Sequence, residues 1–334
     1  MGRNNKKYSK TLHQQAYDRL TAMQAFGESK REAKLNGTDR DKIFSFATYQ
    51  TYWKHTKYFL AYVKEQHPEC TTLKKARAYV GEWLQTRVDE GKSAWTVSTE
   101  AMALNKLYGI QPDDDDFYQP PQRVRSEVTR SRGDKVRDRH FSEKNNDELV
   151  KFCKGTGLRR SELEDLRGKD LVSKAEIESE IQRLEQAGMR GKHLDALKDA
   201  RVFAVDHFVH VRNGKGGKER YAPIIGATAP RIVERIENTQ PEEKVWLHVH
   251  AGADIHSYRG DYATAIYKAH ARKIEEIPYD KTNKGTGRPY QSGVYTCRGD
   301  ESGKKLDKEA MLVCSKALGH NRISVVAESY IRGL

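Results

Sequence analysis

A histidine and a tyrosine near the C-terminus have the spacing and chemistry of a base and a nucleophile. Tyr330 lies ten residues after His320 and is the only tyrosine beyond it. A phenol with a pKa near 10 attacks poorly at neutral pH, so its proton must leave during attack. An imidazole can accept that proton. Such a pair could carry out covalent catalysis through a tyrosine.

Cations at three other places could bind or protonate a phosphate. Arg159 lies in TGLRRSEL, where a glycine turn precedes a short helix, and Arg298 ends the stretch Tyr295-Thr-Cys-Arg. Arginine is permanently charged and its planar donor fork matches phosphate oxygens. Lys215 is predicted at a hairpin tip, from which an ammonium could reach a DNA groove or a phosphate. Taken singly, these could also be surface arginines and a turn lysine, and Tyr330 a buried aromatic.

Taken in order, these stretches resemble the conserved boxes of tyrosine recombinases, also called phage-type integrases. TGLRRSEL resembles the family's first box, NGKGGKER its lysine hairpin, and LGHNRISVVAESY its second box ending in the nucleophile. The resemblance covers nearly the whole chain. It implies six catalytic residues: Arg159, Lys215, Tyr295, Arg298, His320 and Tyr330.

Three features depart from the family pattern. Tyr295 stands where a His-x-x-Arg motif usually has histidine, and a phenol can donate a hydrogen bond but cannot carry imidazolium charge. The interval from His320 to Tyr330 is about one residue longer than usual, and only four residues follow Tyr330. We expect Tyr295 to tune the site rather than abolish it, a loop before the last helix to absorb the longer interval, and the family's C-terminal docking segment to be missing or very short. The other histidines near a Val-Trp-Leu run are predicted to be structural rather than metal ligands: His248, His250 and His256.

The resemblance implies a site-specific recombinase that cuts and rejoins DNA through a 3′-phosphotyrosyl intermediate, without ATP, metal or other cofactor. We expect it to integrate or excise a mobile element. The implied partners are double-stranded DNA with inverted-repeat attachment sites and, on that DNA, three further copies of the chain in a homotetramer. Free protein is expected to be a monomer or weak oligomer, and directionality or bending factors could assist. The alternatives are a non-catalytic accessory homologue and a type IB topoisomerase.

Composition agrees with a polyanionic partner. The 334 residues include 60 Lys+Arg and 47 Asp+Glu, a net charge of +13, and only 37% are hydrophobic. Excess positive charge favours nucleic acid, because cations near phosphates release condensed counterions. No apolar run is long enough to span a membrane. The four cysteines form no CxxC pair, so we expect reduced thiols and a cytoplasmic, nucleoid-associated protein.

The sequence predicts a mainly α protein with a small antiparallel β-sheet in the catalytic domain, an α+β fold. By resemblance, a helical core-binding domain and a tyrosine-recombinase catalytic domain form a C-shaped clamp on DNA. The expected divisions are a basic N-terminal arm or helix (1–40), the core-binding domain (41–112), a basic linker (113–139) and the catalytic domain (140–334) with a helical insertion (175–200).

Local patterns predict the elements that must position these residues. Apolar spacing predicts helices from Ser45 to His67, over 73–90 and over 97–108. In the catalytic domain, Ser142 is predicted to cap a helix, a single helix is predicted over about 175–198, and another over 307–318. Strands at 205–212 and 220–225 flank Asn213-Gly214, a type I′ turn signal.

Overall fold

The computed structural model describes residues 10–124 and 141–331, in two compact units that divide after Val124. The fold is mainly helical with small antiparallel sheets. The first nine residues of the predicted arm, residues 125–139 of the predicted linker and the last three residues lie outside the described part. None of the helices within that part is long and apolar enough to cross a membrane.

The N-terminal unit is helical and has its own core. Its helices are α1 (Leu12–Ala22), α2 (Lys30–Leu35), α3 (Phe46–Gln66), α4 (Leu73–Ala76), α5 (Val80–Asp89) and α6 (Ala94–Tyr108). Helix α3 begins at the Ser45 cap and ends at His67, as the apolar spacing predicts. The predicted helix over 73–90 is instead broken by a 3-10 turn at Arg77–Tyr79.

Part of the predicted basic arm belongs to this core. Ala16 and Leu20 of α1 are fully buried together with Phe59 of α3. The acidic start of the predicted linker is also held, because Arg77 donates to both carboxylate oxygens of Asp116, at 2.6 and 2.9 Å. The N-terminal unit is therefore longer than the domain predicted over 41–112.

The C-terminal unit combines helices with short strands. Its helices are α7 (Asp147–Thr156), α8 (Arg160–Asp165), α9 (Lys174–Gln186), α10 (Lys192–Ala200), α11 (Ala229–Glu237), α12 (Ile255–His270), α13 (Lys308–Leu318) and α14 (Ser324–Ser329). Its strands are β1 (Leu171–Ser173), β2 (His207–Gly214), β3 (Lys218–Pro223), β4 (Lys281–Thr282), β5 (Pro289–Tyr290), β6 (Val294–Thr296) and β7 (Lys305–Asp307).

The three-stranded sheet lies beside the helices that carry the site. Its order is β1-β2-β3, all antiparallel, with Val209 opposite both Leu171 and Ala222. One core cluster packs the sheet against α7 and α11, and a second packs it against α9, α10, α12, α13 and α14. Two further antiparallel pairs, β4-β5 and β6-β7, lie between α12 and α13.

Three predicted elements differ in detail. Helix α7 begins at Asp147, because Ser142 caps a preceding turn by accepting from the Asn145 amide. The single helix predicted over 175–198 is two helices, α9 and α10, separated by glycines at positive φ. The hairpin turn lies at 215–217 rather than at Asn213-Gly214, because the positive φ angles fall at Gly216 and Gly217.

Candidate active site

The Tyr330 hydroxyl lies between a base and a cation. Tyr330 directly follows α14, and its hydroxyl is 3.3 Å from Nε2 of His320. It also accepts a hydrogen bond from Nε of Arg259, at 3.4 Å. A guanidinium only donates hydrogen bonds, so the phenol proton is left for the imidazole. The arrangement suits removal of that proton by His320.

Arg259 is the buried cation of the site. It lies on α12 and is 1% exposed. Its two terminal nitrogens donate to the carbonyls of Gly157 and Leu318, the latter at 2.5 Å. Burial, followed by the nearby Arg220 and Arg159 charges, lowers the pKa of Arg259 to about 10. The guanidinium therefore stays protonated at neutral pH.

Arg159 and Arg259 donate to the same backbone carbonyl at the end of α13. The Arg159 guanidinium donates to this Leu318 carbonyl, at 3.4 Å, and to Oε1 of Glu162, at 2.7 Å. Its side chain is 20% exposed, so this cation is accessible to a ligand. The next residue has another role, because Arg160 donates to the carbonyls of Val249, His250, Ala251 and Ala253.

A buried ion pair fixes Arg159 from behind. Both carboxylate oxygens of Glu162 accept from Arg220 of β3, at 2.9 and 2.6 Å, and one accepts from the Arg159 amide at 2.8 Å. Burial alone would raise the pKa of Glu162, but the Arg220 guanidinium holds that pKa well below its usual range. Charged hydrogen bonds in a buried setting are strongly directional. Glu162 and Arg220 therefore position Arg159.

The glycine turn before Arg159 is required by its surroundings. Gly157 caps α7 with a φ of +59°, a conformation that side chains disfavour. A Cβ atom there would lie 2.2 Å from the Tyr262 ring, and the Gly157 carbonyl accepts from Arg259. The turn thus allows close packing and supplies one of the two carbonyls that hold Arg259.

His320 follows the C-terminal cap of α13. Gly319 ends the helix at a φ of +69°, and the His320 carbonyl accepts from the Ser315 hydroxyl at 3.1 Å. Burial lowers the pKa of His320 to about 3, assisted by four cations. These cations are Arg259, Arg159, Arg220 and Lys218. A neutral imidazole is the form that can accept the phenol proton.

A second histidine lies against Tyr330. The His256 ring centroid is 5.2 Å from that of Tyr330, and His256 lies on α12 one turn before Arg259. Residues three apart share one face of a helix. His256-Ser-Tyr-Arg259 thus has the His-x-x-Arg spacing, and its two outer residues both contact Tyr330.

The residues predicted for that role lie elsewhere. Tyr295 is in β6 opposite Leu306, packed against the core, and Arg298 is exposed just before the 3-10 turn Gly299–Glu301. Among the described residues, the arginine that contacts Tyr330 is Arg259 and not Arg298. Arg259 and His256 therefore contact Tyr330 in the structure, whereas the catalytic roles of Arg298 and Tyr295 stay predictions.

Two lysines of the hairpin differ in their surroundings. Lys215 is exposed in the turn between β2 and β3. Lys218 begins β3 and donates to Oδ1 of Asn321 at 2.9 Å and to the His320 carbonyl at 3.3 Å. Burial lowers the pKa of Lys218. The hairpin therefore contacts the segment that carries His320 through Lys218, while Lys215 extends from the tip.

The sequence contained a signal for the two missed residues. HSYR at 256–259 is a literal His-x-x-Arg, whereas the predicted Tyr295-Thr-Cys-Arg298 has tyrosine in the histidine position and lies 22 residues before His320. Arg259 lies 61 residues before His320, because the segment between α12 and α13 contains two strand pairs. A motif search that allowed for such an insertion would have found both residues.

Comparisons with known proteins add little to this geometry. No family model matches the chain, and no curated protein is similar to it in sequence. Among solved structures, the crystal structure of XerA recombinase matches with 13% identity and a TM-score of 0.25. That match covers 93% of this chain and 92% of the other. A TM-score this low supports no conclusion on fold or function.

Proposed function

We propose that the protein is a DNA strand transferase of the tyrosine recombinase type. The observation that carries this proposal is the Tyr330 hydroxyl held between His320 and Arg259. Buried cations around a nucleophilic hydroxyl suit a reaction at an anionic phosphodiester, where negative charge grows on the non-bridging oxygens. The net charge of +13 supports nucleic acid as the polyanion.

The proposed cleavage step exchanges one phosphodiester for another. The Tyr330 oxygen attacks phosphorus, its proton passes to His320, and a P–O bond to the 5′-oxygen breaks. The product is a 3′-phosphotyrosyl link and a free 5′-hydroxyl, which a proton from Lys215 would complete. Arg159, whose side chain is partly exposed, would bind a non-bridging oxygen, and the buried charge of Arg259 would stabilise the attacking Tyr330 oxygen.

The low pKa of His320 keeps the imidazole neutral but also makes it a weak base while no phosphate is bound. Cations surround the imidazole and disfavour its protonation. A bound phosphodiester would bring negative charge among those cations and make protonation easier. His320 would then be neutral before DNA binds and a stronger base once the phosphate is in place.

Rejoining to the 5′-hydroxyl of another strand would give recombination. We propose integration or excision of a mobile element at inverted-repeat sites by a tetramer, with the N-terminal helical unit binding DNA together with the catalytic unit. Supercoil relaxation by a type IB topoisomerase would use the same first step but needs no second duplex. Dependence on a second duplex therefore distinguishes the two reactions.

The test is the covalent adduct itself. Wild-type protein, Tyr330→Phe and Tyr295→Phe would be incubated with a nicked duplex library of mixed sequence, denatured in SDS and digested. We expect a nucleotide remnant on the Tyr330 peptide of the wild type and of Tyr295→Phe, and none from Tyr330→Phe. DNA binding without any adduct in the wild type would contradict the proposal and favour a non-catalytic accessory protein.

A further inference from the structure

A basic hairpin projects from the C-terminal unit between α12 and α13. Every residue from Pro278 to Tyr290 is exposed, and β4 and β5 pair within this segment. Three cations lie on it: Lys281, Lys284 and Arg288. The proposed cleavage chemistry uses none of them.

The charge of this hairpin is only partly neutralised locally. Within the described residues, none of its three cations forms an ion pair, and no acidic residue lies between 281 and 290. Asp280, next to Lys281, accepts from the amide and hydroxyl of Ser292 at 2.8 and 2.5 Å. These hydrogen bonds, and to a smaller extent the Lys281 charge, lower the pKa of Asp280, so Asp280 offsets part of the charge of Lys281. The hairpin is therefore a concentrated positive surface.

The base and turn of the hairpin are held in place. The side-chain amide of Gln291 donates to the backbone carbonyls of Ile274 and Ile277 at 2.8 and 2.6 Å. At the tip, the Asn283 side chain accepts from the amides of Gly285 and Thr286 at 2.9 and 3.0 Å. These contacts fix the conformation, so little ordering of the backbone is needed before a ligand binds.

The hairpin base lies close to the segment that carries the proposed nucleophile. Asp280 and Ser292 line a cavity that is also lined by Ile323, three residues beyond His320. Tyr279 lies two residues before β4 and Tyr290 ends β5, and their side chains are 66% and 44% exposed. Such aromatic side chains can pack on sugars or bases next to phosphate contacts.

We propose that the 281–290 hairpin binds the phosphate backbone of duplex DNA beside the cleavage site. A two-stranded ribbon fits the major groove, and fixed unpaired cations suit phosphates better than an acidic protein surface of variable shape. This inference rests on the proposed function for its ligand but on different residues. It assigns a DNA contact to the segment that separates α12 from α13.

The test compares two triple variants with equal loss of charge. The first is Lys281→Gln, Lys284→Gln and Arg288→Gln. The control changes three paired, exposed cations of the same types: Lys169→Gln, Arg183→Gln and Lys198→Gln. Affinity for a duplex of mixed sequence would be measured from about 50 to 200 mM salt, with thermal unfolding as a check on folding.

Each outcome decides the inference. Every lost phosphate contact lowers the magnitude of the slope of log affinity against log salt by about 0.9. We therefore expect this slope to fall by about 2 to 3 in the hairpin variant and by much less in the control. An unchanged slope in the hairpin variant, or an equal loss in both, would overturn the inference. Adduct formation at Tyr330 is assayed on the same DNA. Without a wild-type adduct, a selective loss of slope would leave the hairpin contact standing and reject only the proposed chemistry.

Discussion

Arg259 and Arg298 are the two candidates for the second arginine of the site, and conservative substitutions distinguish between them. Arg259 spans the Gly157 and Leu318 carbonyls and the Tyr330 oxygen, which a lysine with one nitrogen cannot do. We expect Arg259→Lys to slow adduct formation by about 100-fold or more. Arg298→Lys should leave the rate close to that of the wild type. Single-turnover cleavage of a nicked duplex measures both, and the reverse ranking would restore Arg298 to the site.

His320 should make the stability of the C-terminal unit depend on pH. The pKa falls from an ordinary 6.5 to about 3 on folding. Between these values the unfolded chain binds a proton that the folded chain does not, so stability falls as pH drops below 6.5. We expect a loss of about 1 to 2 kcal/mol between pH 7 and 5 from this group.

Replacing His320 tests this expectation directly. In His320→Gln the loss between pH 7 and 5 should be smaller by about the same 1 to 2 kcal/mol. Urea unfolding at both pH values measures the difference, followed by the fluorescence of Trp246 in a background that retains this tryptophan alone. Equal pH dependence of the two proteins would mean that the folded imidazole titrates normally.

Among the individual residues of the candidate site, motif spacing in the sequence predicts only some. Arg159, His320 and Tyr330 lie in the boxes noted in the sequence, and the structure brings all three into one polar cluster. Arg259 lies in the literal His-x-x-Arg stretch HSYR, but the sequence does not show that this arginine is buried under the end of α13. Burial of a charged side chain leaves no mark on local periodicity, since helix α12 would look the same with that face exposed.

At the scale of elements, the predicted insertion proves to be part of the core. Ile181 of α9 and Leu197 of α10 are each 1% exposed and share a cluster with α12 and α13. The apolar positions of this stretch were visible in the sequence, but the break between its helices depends on Gly188 and Gly191 at positive φ. The charge of this stretch and its place between two motifs predict an insertion, but local periodicity does not show which neighbour covers its apolar face.

A pair of truncations measures how far this insertion supports the unit. Leu197→Ala should lower the free energy of unfolding by about 2 to 5 kcal/mol, because it leaves a cavity among buried side chains. Met189→Ala removes a side chain that is 54% exposed in the same insertion and should cost less than about 1 kcal/mol. Urea denaturation compares the two. Similar small losses would show that α9 and α10 are dispensable for stability.

At the scale of the whole molecule, each unit has its own core and its own fluorescent reporters. Trp53, Trp83 and Trp95 belong to the N-terminal unit. The fourth tryptophan, Trp246, lies in the C-terminal unit, where the Arg235 guanidinium stacks at 3.7 Å from its ring. Leu104 is fully buried in the first core and Ile236 in the second. A core truncation in one unit should therefore affect mainly the unfolding of that unit.

We expect two separable transitions. In a Trp246→Phe background, fluorescence reports the N-terminal unit, and Leu104→Ala should lower its stability by about 2 to 5 kcal/mol. In the complementary background, with Trp246 alone retained, the same truncation should leave the transition in place, whereas Ile236→Ala should shift it. A separately folded helical unit could bind DNA while the other unit holds the nucleophile. An equal shift of both transitions by Leu104→Ala would mean that the two cores unfold together. Destabilising one unit would then also unfold the other, and DNA affinity and cleavage could not be assigned to separate units in this way.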